Sequence, residues 1–319
     1  MAKLAFHMSP LLTDELIEVL SQRKIFTFLD VLETVPEELR NISGLSFKDV
    51  LTLRSDIISR CCPLPQSGNE VQNDCLQNSA LIPSGLAEFD EILNGGFPTG
   101  SIVELCGESA VGKTHLCMVI ALNAVQEFKQ QVHWIDAKSD FCARGVFQML
   151  ELKHCDDEEV GTVMESIKVV SVTNYFELYS ALQNFQDNFS NLHANIRLVV
   201  IDSIPAIFFN FTPNQRVDGI CLSHCLVSKM KQIAQEFHLT FILVNVTYRK
   251  LNEELAIDQE SSDTSGAIKV RVALGKFWSG IPNTRLLMEK VSLDRRKITV
   301  LKSTNLPNGV SCIINPFKK

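Results

Sequence analysis

The amino-acid sequence predicts an α/β fold with a mainly parallel sheet, preceded by a small all-helical N-terminal domain. Three observations support this. From residue 81 onward, short β-rich runs alternate with longer amphipathic stretches, which is typical of a parallel sheet covered on both faces. Before residue 60, apolar residues recur at helical spacing instead. A polar stretch with two prolines separates the two patterns and is typical of a linker.

The helical domain is expected over residues 1–60. Ser46 is placed to cap a helix, and Asp49 follows three residues later, close to a capping box. Gly44 permits a tight turn before this helix, which gives a helix-hairpin-helix-like pair. The residues expected to face inward are Val50, Leu53 and Ile57. Such a domain would contact a DNA backbone or dock a protein partner, and both interpretations stay open.

Residues 61–80 are expected to form the linker and residues 81–319 the α/β core. The expected core strands are SIVELCG, QVHWID, IKVVSV, RLVVID and TFILVNVT. Helices are expected over 113–128 and 222–237. Three strand-like runs near the C-terminus, TRLLMEKV, KITVLKS and SCIINPF, predict a strand-rich edge of the same sheet.

Composition excludes several classes of protein. The net charge of −7 gives the whole molecule no basic field, so contact with nucleic acid would need a local patch. The N-terminal stretch lacks the apolar core and cleavage site of a signal peptide, and no apolar run approaches the roughly 18 residues of a membrane span. Because no secretory signal is expected, the ten cysteines are predicted to be reduced thiols inside a cell. They include no pair of Cys-x-x-Cys units, so the sequence does not support a zinc site.

The segment GESAVGKT fits a phosphate-binding loop between an apolar strand and a helix. In such a loop the backbone amides and the helix dipole face phosphate oxygens, the lysine meets the β- and γ-phosphates, and the hydroxyl binds Mg²⁺. The expected nucleotide-binding residues are Gly107, Glu108, Ser109, Ala110, Val111, Gly112, Lys113 and Thr114.

A second ligand for the metal is expected at Asp202. The carboxylate follows the continuously apolar run 198–201, which is typical of a buried parallel strand. A carboxylate at the end of a buried strand next to the phosphate loop completes the expected magnesium site with Thr114.

Residues 84–117, SGLAEFDEILNGGFPTGSIVELCGESAVGKTHLC, resemble the RecA/RadA recombinase family in its eukaryotic branch. VHWID, LVVIDS, FILVNVT and NTRLLM continue the likeness in the same order. Among the paralogs of that branch, the D-type is the nearest likeness, because of ALGKFWSGIPNTRLLM at residues 273–288. The resemblance implies a RecA-type P-loop ATPase core that binds ATP and Mg²⁺, with Asn245 near the γ-phosphate as a relay to a DNA-binding loop.

The resemblance also implies a role. The chain would be a DNA-repair accessory protein of homologous recombination, located in the nucleus, that acts with other recombinase paralogs in a hetero-oligomer on single-stranded or branched DNA. No membrane association is expected. The alternative is a nucleotide-stabilised scaffold subunit that has no direct DNA contact.

Three departures from the family pattern indicate weak or partner-dependent hydrolysis. Lys138 stands where the family has its catalytic Glu, and a protonated ammonium cannot accept a proton from water. Asp136 and Asp140 are out of register with that position. Val246 replaces the Gln that follows the relay Asn, and residues 61–80 contain no Phe for a polymerisation motif. We therefore assign no catalytic residue.

Two loops are expected over a DNA channel, at about residues 209–219 and 247–280. Residues 251–266 carry five acids and no Lys or Arg, whereas residues 269–302 carry nine Lys or Arg and two acids. The basic half, which includes Arg295, Arg296 and Lys297, would follow a DNA backbone or form a solvated face. The candidate DNA-binding residues are Arg216, Lys269, Arg271 and Lys276.

Overall fold

The computed structural model describes residues 4, 9–61, 65, 67–189, 195–208, 216–249 and 270–317. The helices are α1 (Asp14–Gln22), α2 (Phe28–Glu33), α3 (Pro36–Ser43), α4 (Phe47–Cys61), α5 (Gly68–Asn78), α6 (Ala87–Ile92), α7 (Lys113–Phe128), α8 (Ala143–Leu152), α9 (Asp157–Ser166), α10 (Tyr175–Asn188), α11 (Ile204–Phe208), α12 (Arg216–Glu236) and α13 (Gly275–Ser279). The strands are β1 (Leu81–Ile82), β2 (Phe97–Pro98), β3 (Ser101–Gly107), β4 (Gln131–Asp136), β5 (Ile167–Ser171), β6 (Ile196–Asp202), β7 (Thr240–Arg249), β8 (Val270–Val272), β9 (Thr284–Lys290), β10 (Arg296–Ser303) and β11 (Ser311–Ile314).

The N-terminal unit, residues 1–73, packs helices α1 to α4 around its own core. The backbone amide of Asp49 donates to the Ser46 hydroxyl oxygen at 3.1 Å, and the Ser46 hydroxyl donates to the Asp49 carboxylate at 2.6 Å, so the predicted cap is present. Gly44 turns the chain between α3 and α4 with φ +68°, a conformation that favours glycine. Three predicted core residues are fully buried: Val50, Leu53 and Ile57.

Helix α5 lies in the stretch predicted as a linker. Ser67 and Glu70 form a capping box. The Ser67 amide donates to the Glu70 carboxylate at 2.6 Å, and the Glu70 amide donates to the Ser67 hydroxyl oxygen at 3.2 Å. None of the residues of α5 is buried. The predicted linker thus contains a solvent-exposed helix, which its polar composition did not indicate. The domain bounds of 1–60, 61–80 and 81–319 stay a prediction.

The core unit, residues 74–319, is built on a mainly parallel sheet, which confirms the predicted fold class. Within the described residues the strand order is β11-β10-β9-β3-β7-β6-β4-β5, with β8 paired to β7. Strands β9, β3, β7, β6, β4 and β5 run parallel, whereas β10, β11 and β8 pair antiparallel. Alternate residues of the strands enter two separate apolar clusters, one on each face of the sheet. This explains why the central strands read as continuous apolar runs.

His133 in β4 makes the core sensitive to acid. Its ring packs against Phe185 with centroids 4.8 Å apart, and its buried Nε2 has no hydrogen-bond partner among the described residues. Burial lowers the pKa of His133 to about 4. Because the unfolded chain takes up this proton near pH 6.5, the contribution of His133 to stability is complete above that pH and is lost as the pH falls towards 4.

We therefore expect the free energy of unfolding to fall by about 2–3 kcal/mol from pH 7.5 to pH 4.5 because of this group alone. Urea unfolding of the natural chain and of His133→Leu at both pH values measures the difference. The exposed His154→Asn variant is the control and should keep the full acid loss. An equal acid loss in His133→Leu and in the natural chain would contradict the assignment.

Among the helices in the described parts of the chain, none combines the length and the apolar content needed to cross a bilayer.

Candidate functional site

A cavity of about 580 Å³ lies at the carboxyl ends of the central parallel strands. Ligand sites of open α/β sheets occur at this edge, because the loops that follow the strands converge there. The lining residues are Ser109, Ala110, Gly112, Lys113, Thr114, Lys138, Asp140, Ser203, Ala206, Val244, Asn245 and Val246. Six of the ten predicted nucleotide-binding residues therefore line one cavity.

The loop between β3 and α7 depends on its glycines in two different ways. At Gly107 a Cβ atom would clash with the carbonyl oxygen of Met288 on the neighbouring strand β9, so this glycine allows close packing within the sheet. At Gly112 the backbone has φ +104°, which L side chains rarely adopt. Ala110, at φ +59°, also takes the left-handed conformation. Of these two glycines, Gly112 is thus required for the turn itself and Gly107 for close packing.

Lys113 carries a buried positive charge at the base of the cavity. Its ammonium group donates to the carbonyl oxygens of Gly107 at 2.9 Å and Glu108 at 2.7 Å. Burial, together with repulsion from Lys138, lowers the pKa of Lys113 to about 8, although attraction to Asp202 opposes both. An anion in the cavity would remove this penalty, because it would supply the opposite charge that the carbonyl oxygens lack.

Thr114 and Asp202 meet as predicted, although their strands are not neighbours. The Thr114 hydroxyl donates to Oδ2 of Asp202 at 2.5 Å. Strand β6, which ends at Asp202, is separated from β3 by β7, so the expectation of a directly adjacent strand is wrong. Thr114, the second residue of α7, reaches across this gap to the end of β6.

Lys138 forms an ion pair with the other oxygen of the Asp202 carboxylate. Its ammonium group lies 2.9 Å from Oδ1 of Asp202 and 2.8 Å from Oδ2 of Asp140. Partial burial opposes the charge, but the hydrogen bond to Asp140 and the attraction of Asp202 raise the pKa of Lys138 above its ordinary value. Lys138 is therefore a fixed cation at the position where the family pattern has a carboxylate.

The carboxylates near Lys138 are engaged elsewhere. Asp136 accepts backbone amides from Lys138, Asp140 and Phe141 at 3.0–3.2 Å, so it shapes the turn after β4. Asp140 is held by Lys138 at the cavity rim. A general base needs a free lone pair directed at the attacking water. Neither carboxylate has the position of the missing glutamate.

Asn245 lines the cavity but turns its amide group inward. Its Nδ2 donates to the carboxylate of Glu104 at 2.6 Å, and its Oδ1 accepts the amide of Val246 at 2.7 Å. The same carboxylate accepts the Trp278 indole N–H at 2.8 Å and pairs with Arg285. Asn245 therefore joins a buried polar network that runs from the cavity to α13.

Sequence reasoning did not find Glu104. The available signal is a single charged residue inside an apolar strand whose seven residues are all buried. A charge in such a position requires a partner, since burying it alone is strongly unfavourable.

The phosphate loop is also held from outside by C-terminal residues. Arg296 donates from Nε to the carbonyl oxygen of Val111 at 2.6 Å, and its guanidinium lies 4.8 Å from the centre of the Phe317 ring. That ring stacks on His115 at 4.5 Å, and His115 Nε2 lies 3.0 Å from the Pro316 carbonyl oxygen. Arg296 is only 5% exposed, so its expected place on a basic DNA-binding face is wrong.

The cavity suits a magnesium–nucleotide complex in its donor set. Lys113 offers a desolvated cation for phosphate, and the loop precedes the N-terminus of a 16-residue helix. The Thr114 hydroxyl and the Asp202 carboxylate are hard oxygen donors of the kind that Mg²⁺ prefers. Lys138 departs from this pattern, because it adds a second positive charge beside the metal position.

A second, larger cavity of about 830 Å³ contains none of the phosphate-loop residues 107–114. It lies along α7, beside His115 and Asn123, and is also lined by residues 315–317. Lacking the lysine–hydroxyl–carboxylate set, it does not compete as the nucleotide site.

The side chains of the candidate DNA-binding residues lie outside the described part of the structure. Lys269 lies outside the described residues. Arg216 begins α12, Arg271 lies in β8 and Lys276 lies in α13, and in each case the description covers the backbone only. They stay a prediction.

Known proteins were compared with this chain. The family model described as Rad51 matches residues 77–315, and the model described as RAD51D, N-terminal domain, matches residues 1–58. DNA repair protein RAD51 homolog 4 of Bos taurus is 26% identical over 94% of this chain and 90% of its own length. DNA repair protein RAD51 homolog 2 of Homo sapiens is 26% identical over 93% and 83%. DNA repair and recombination protein RadB of Methanococcoides burtonii is 20% identical over 72% and 92%.

Proposed function

Because the chain belongs to the Rad51 family and carries a D-type N-terminal domain, we propose that it is an ATP-binding accessory protein of recombinational DNA repair. The observation that carries this proposal is that Lys113 and Thr114 line one cavity at the edge of the parallel sheet, where the Thr114 hydroxyl donates to the Asp202 carboxylate. Relatives of similar length are named as DNA repair proteins, so the proposal assigns the whole chain to that process.

We propose that the cavity binds ATP together with Mg²⁺. The amides of the phosphate loop and Lys113 would hold the phosphates, and Thr114 and Asp202 would hold the metal. The bound metal would neutralise phosphate charge. Arg296 and Phe317 would keep the loop in the conformation that presents its amides, because they fix it through Val111 and His115.

Turnover of ATP is proposed to be slow or completed by a partner. Lys138 stays protonated, Asp136 accepts three backbone amides and Asp140 pairs with Lys138, so within the described part of the chain none of these three side chains is placed to take the proton of an attacking water. The nucleotide would then serve mainly to hold a conformation that partners recognise. In this respect the chain would act as a subunit rather than as an independent motor.

The proposed partners are other recombinase paralogs in a hetero-oligomer, and single-stranded or branched DNA in the nucleus. The charges of Arg216, Lys269, Arg271 and Lys276 in the sequence support DNA contact, whereas the chain as a whole is acidic. The alternative proposal is a nucleotide-stabilised scaffold without direct DNA contact. Salt dependence separates the two, because phosphate contacts release counter-ions.

We expect a labelled single-stranded oligonucleotide to bind with a log–log salt slope of about −3, equivalent to about four phosphate contacts. Fluorescence anisotropy over a salt series measures this. The combined variant R216A/K269A/R271A/K276A should lose most of the slope, whereas the exposed-lysine control Lys231→Ala should keep it. Absence of salt-dependent binding in the natural chain would favour the scaffold.

A further inference from the structure

The turn after β4 brings Lys138 to Asp202 through several independent contacts. The Asp136 carboxylate accepts three amides of the turn, at 3.0–3.2 Å. The amide of Ala137 donates to the backbone carbonyl oxygen of Asp202 at 2.7 Å. The backbone that carries Lys138 is thus fixed to the end of β6. The contact between the ammonium and the carboxylate is thus made from a fixed backbone position.

Both oxygens of the Asp202 carboxylate are therefore occupied. Oδ2 accepts the Thr114 hydroxyl at 2.5 Å, and Oδ1 lies 2.9 Å from the Lys138 ammonium. In a site designed around a divalent cation, this carboxylate would keep its negative charge for the metal. Here that charge is already balanced by a residue of the chain.

The two lysines also face the same cavity. Lys113 and Lys138 both line it, and they are close enough that Lys138 is the second cause of the depressed pKa of Lys113. A polyphosphate in the cavity would lie between two ammonium groups. A lysine in place of a carboxylate at position 138 makes the charge beside the phosphates more positive by two units.

We propose that Lys138 is a built-in counter-ion of the phosphate site, so that the chain holds ATP with little need of Mg²⁺. This rests on the proposed ATP binding. The ammonium supplies part of the positive charge that a divalent cation supplies elsewhere, and it weakens the metal's own hold by neutralising Asp202. Lys138 thereby sets which form of the nucleotide is bound.

The test is isothermal titration calorimetry of the full chain with ATP, once with excess Mg²⁺ and once with EDTA. For the natural chain, we expect the dissociation constant to rise by less than about threefold in EDTA. Lys138→Met removes the charge at similar side-chain length. For this variant, the dissociation constant in EDTA should exceed that in excess Mg²⁺ by about tenfold or more. Lys138→Arg keeps the charge and should behave like the natural chain. Lys231→Met, an exposed lysine outside the cavity, controls for net charge.

The outcomes are distinct. Equal dependence on Mg²⁺ in the natural chain and in Lys138→Met overturns the counter-ion proposal while ATP binding stands. Failure of the natural chain to bind ATP in either buffer overturns both proposals. If Lys138→Met does not fold, the rise in melting temperature that ATP produces in the natural chain decides, because binding to the folded state stabilises it. A rise with Mg²⁺ that disappears in EDTA overturns the counter-ion proposal, and a rise that persists supports it.

Discussion

Replacing Glu104 with Gln is expected to destabilise the core by about 3–5 kcal/mol. The carboxylate is fully buried and accepts the Trp278 indole and the Asn245 amide while it pairs with Arg285. Glutamine preserves the shape but removes the charge, which leaves the Arg285 guanidinium uncompensated in the interior. Breaking one partner of a buried pair is far more damaging than removing both.

Denaturant unfolding followed by tryptophan fluorescence measures this effect. Both tryptophans of the chain, Trp134 and Trp278, are buried in the core unit, so their emission reports on that unit. The exposed Glu127→Gln variant is the control and should change stability by about 0.5 kcal/mol or less. The double variant Glu104→Leu with Arg285→Leu should recover much of the loss. A small effect of Glu104→Gln alone would show that the network is not a stabilising unit.

Lys113→Met is expected to weaken ATP binding by about a hundredfold. The charged hydrogen bonds to phosphate contribute about 3 kcal/mol together, and methionine cannot replace them. Calorimetric titration with ATP measures the loss. Lys129→Met, at the opposite end of α7, is the matched control and should bind like the natural chain.

The same variant separates binding from folding. The folded-state pKa of Lys113 lies near 8, below its ordinary value, so at pH values below 8 the protonated lysine lowers the stability of the folded state. The stability of the natural chain should therefore rise as the pH increases from about 8 to about 10.5. In Lys113→Met this rise should be absent, and the melting temperature at pH 7 should be unchanged or higher. A variant that lost both affinity and stability would contradict the burial penalty.

The phosphate loop and the strand candidates were predictable, because their signals are local. Helix α7 begins and ends at the predicted residues 113 and 128, since strand, loop and helix follow one another within a single stretch of chain. The pairing of Thr114 with Asp202 was also predictable as chemistry. That β7 lies between their strands was not, because strand order depends on how the whole sheet assembles.

The remaining parts of the site depend on contacts between distant residues. Trp278 reaches Glu104 across 174 positions, and Arg296 reaches Val111 across 185. Both arginines that bind inward, Arg285 and Arg296, belong to the stretch whose composition suggested a basic exterior face. Charge counts along a sequence do not distinguish a solvated cation from one that is buried against a carboxylate or a carbonyl group.

The contacts of Arg296 with Val111 and of Phe317 with His115 have a consequence for shortened products of the gene. A transcript or proteolytic fragment that stops before β10 would retain every residue of the nucleotide signature and would still be recognised by a motif search. It would lack the groups that hold the loop at Val111 and His115. We therefore expect such a fragment to bind nucleotide poorly, and it should not be counted as a working isoform.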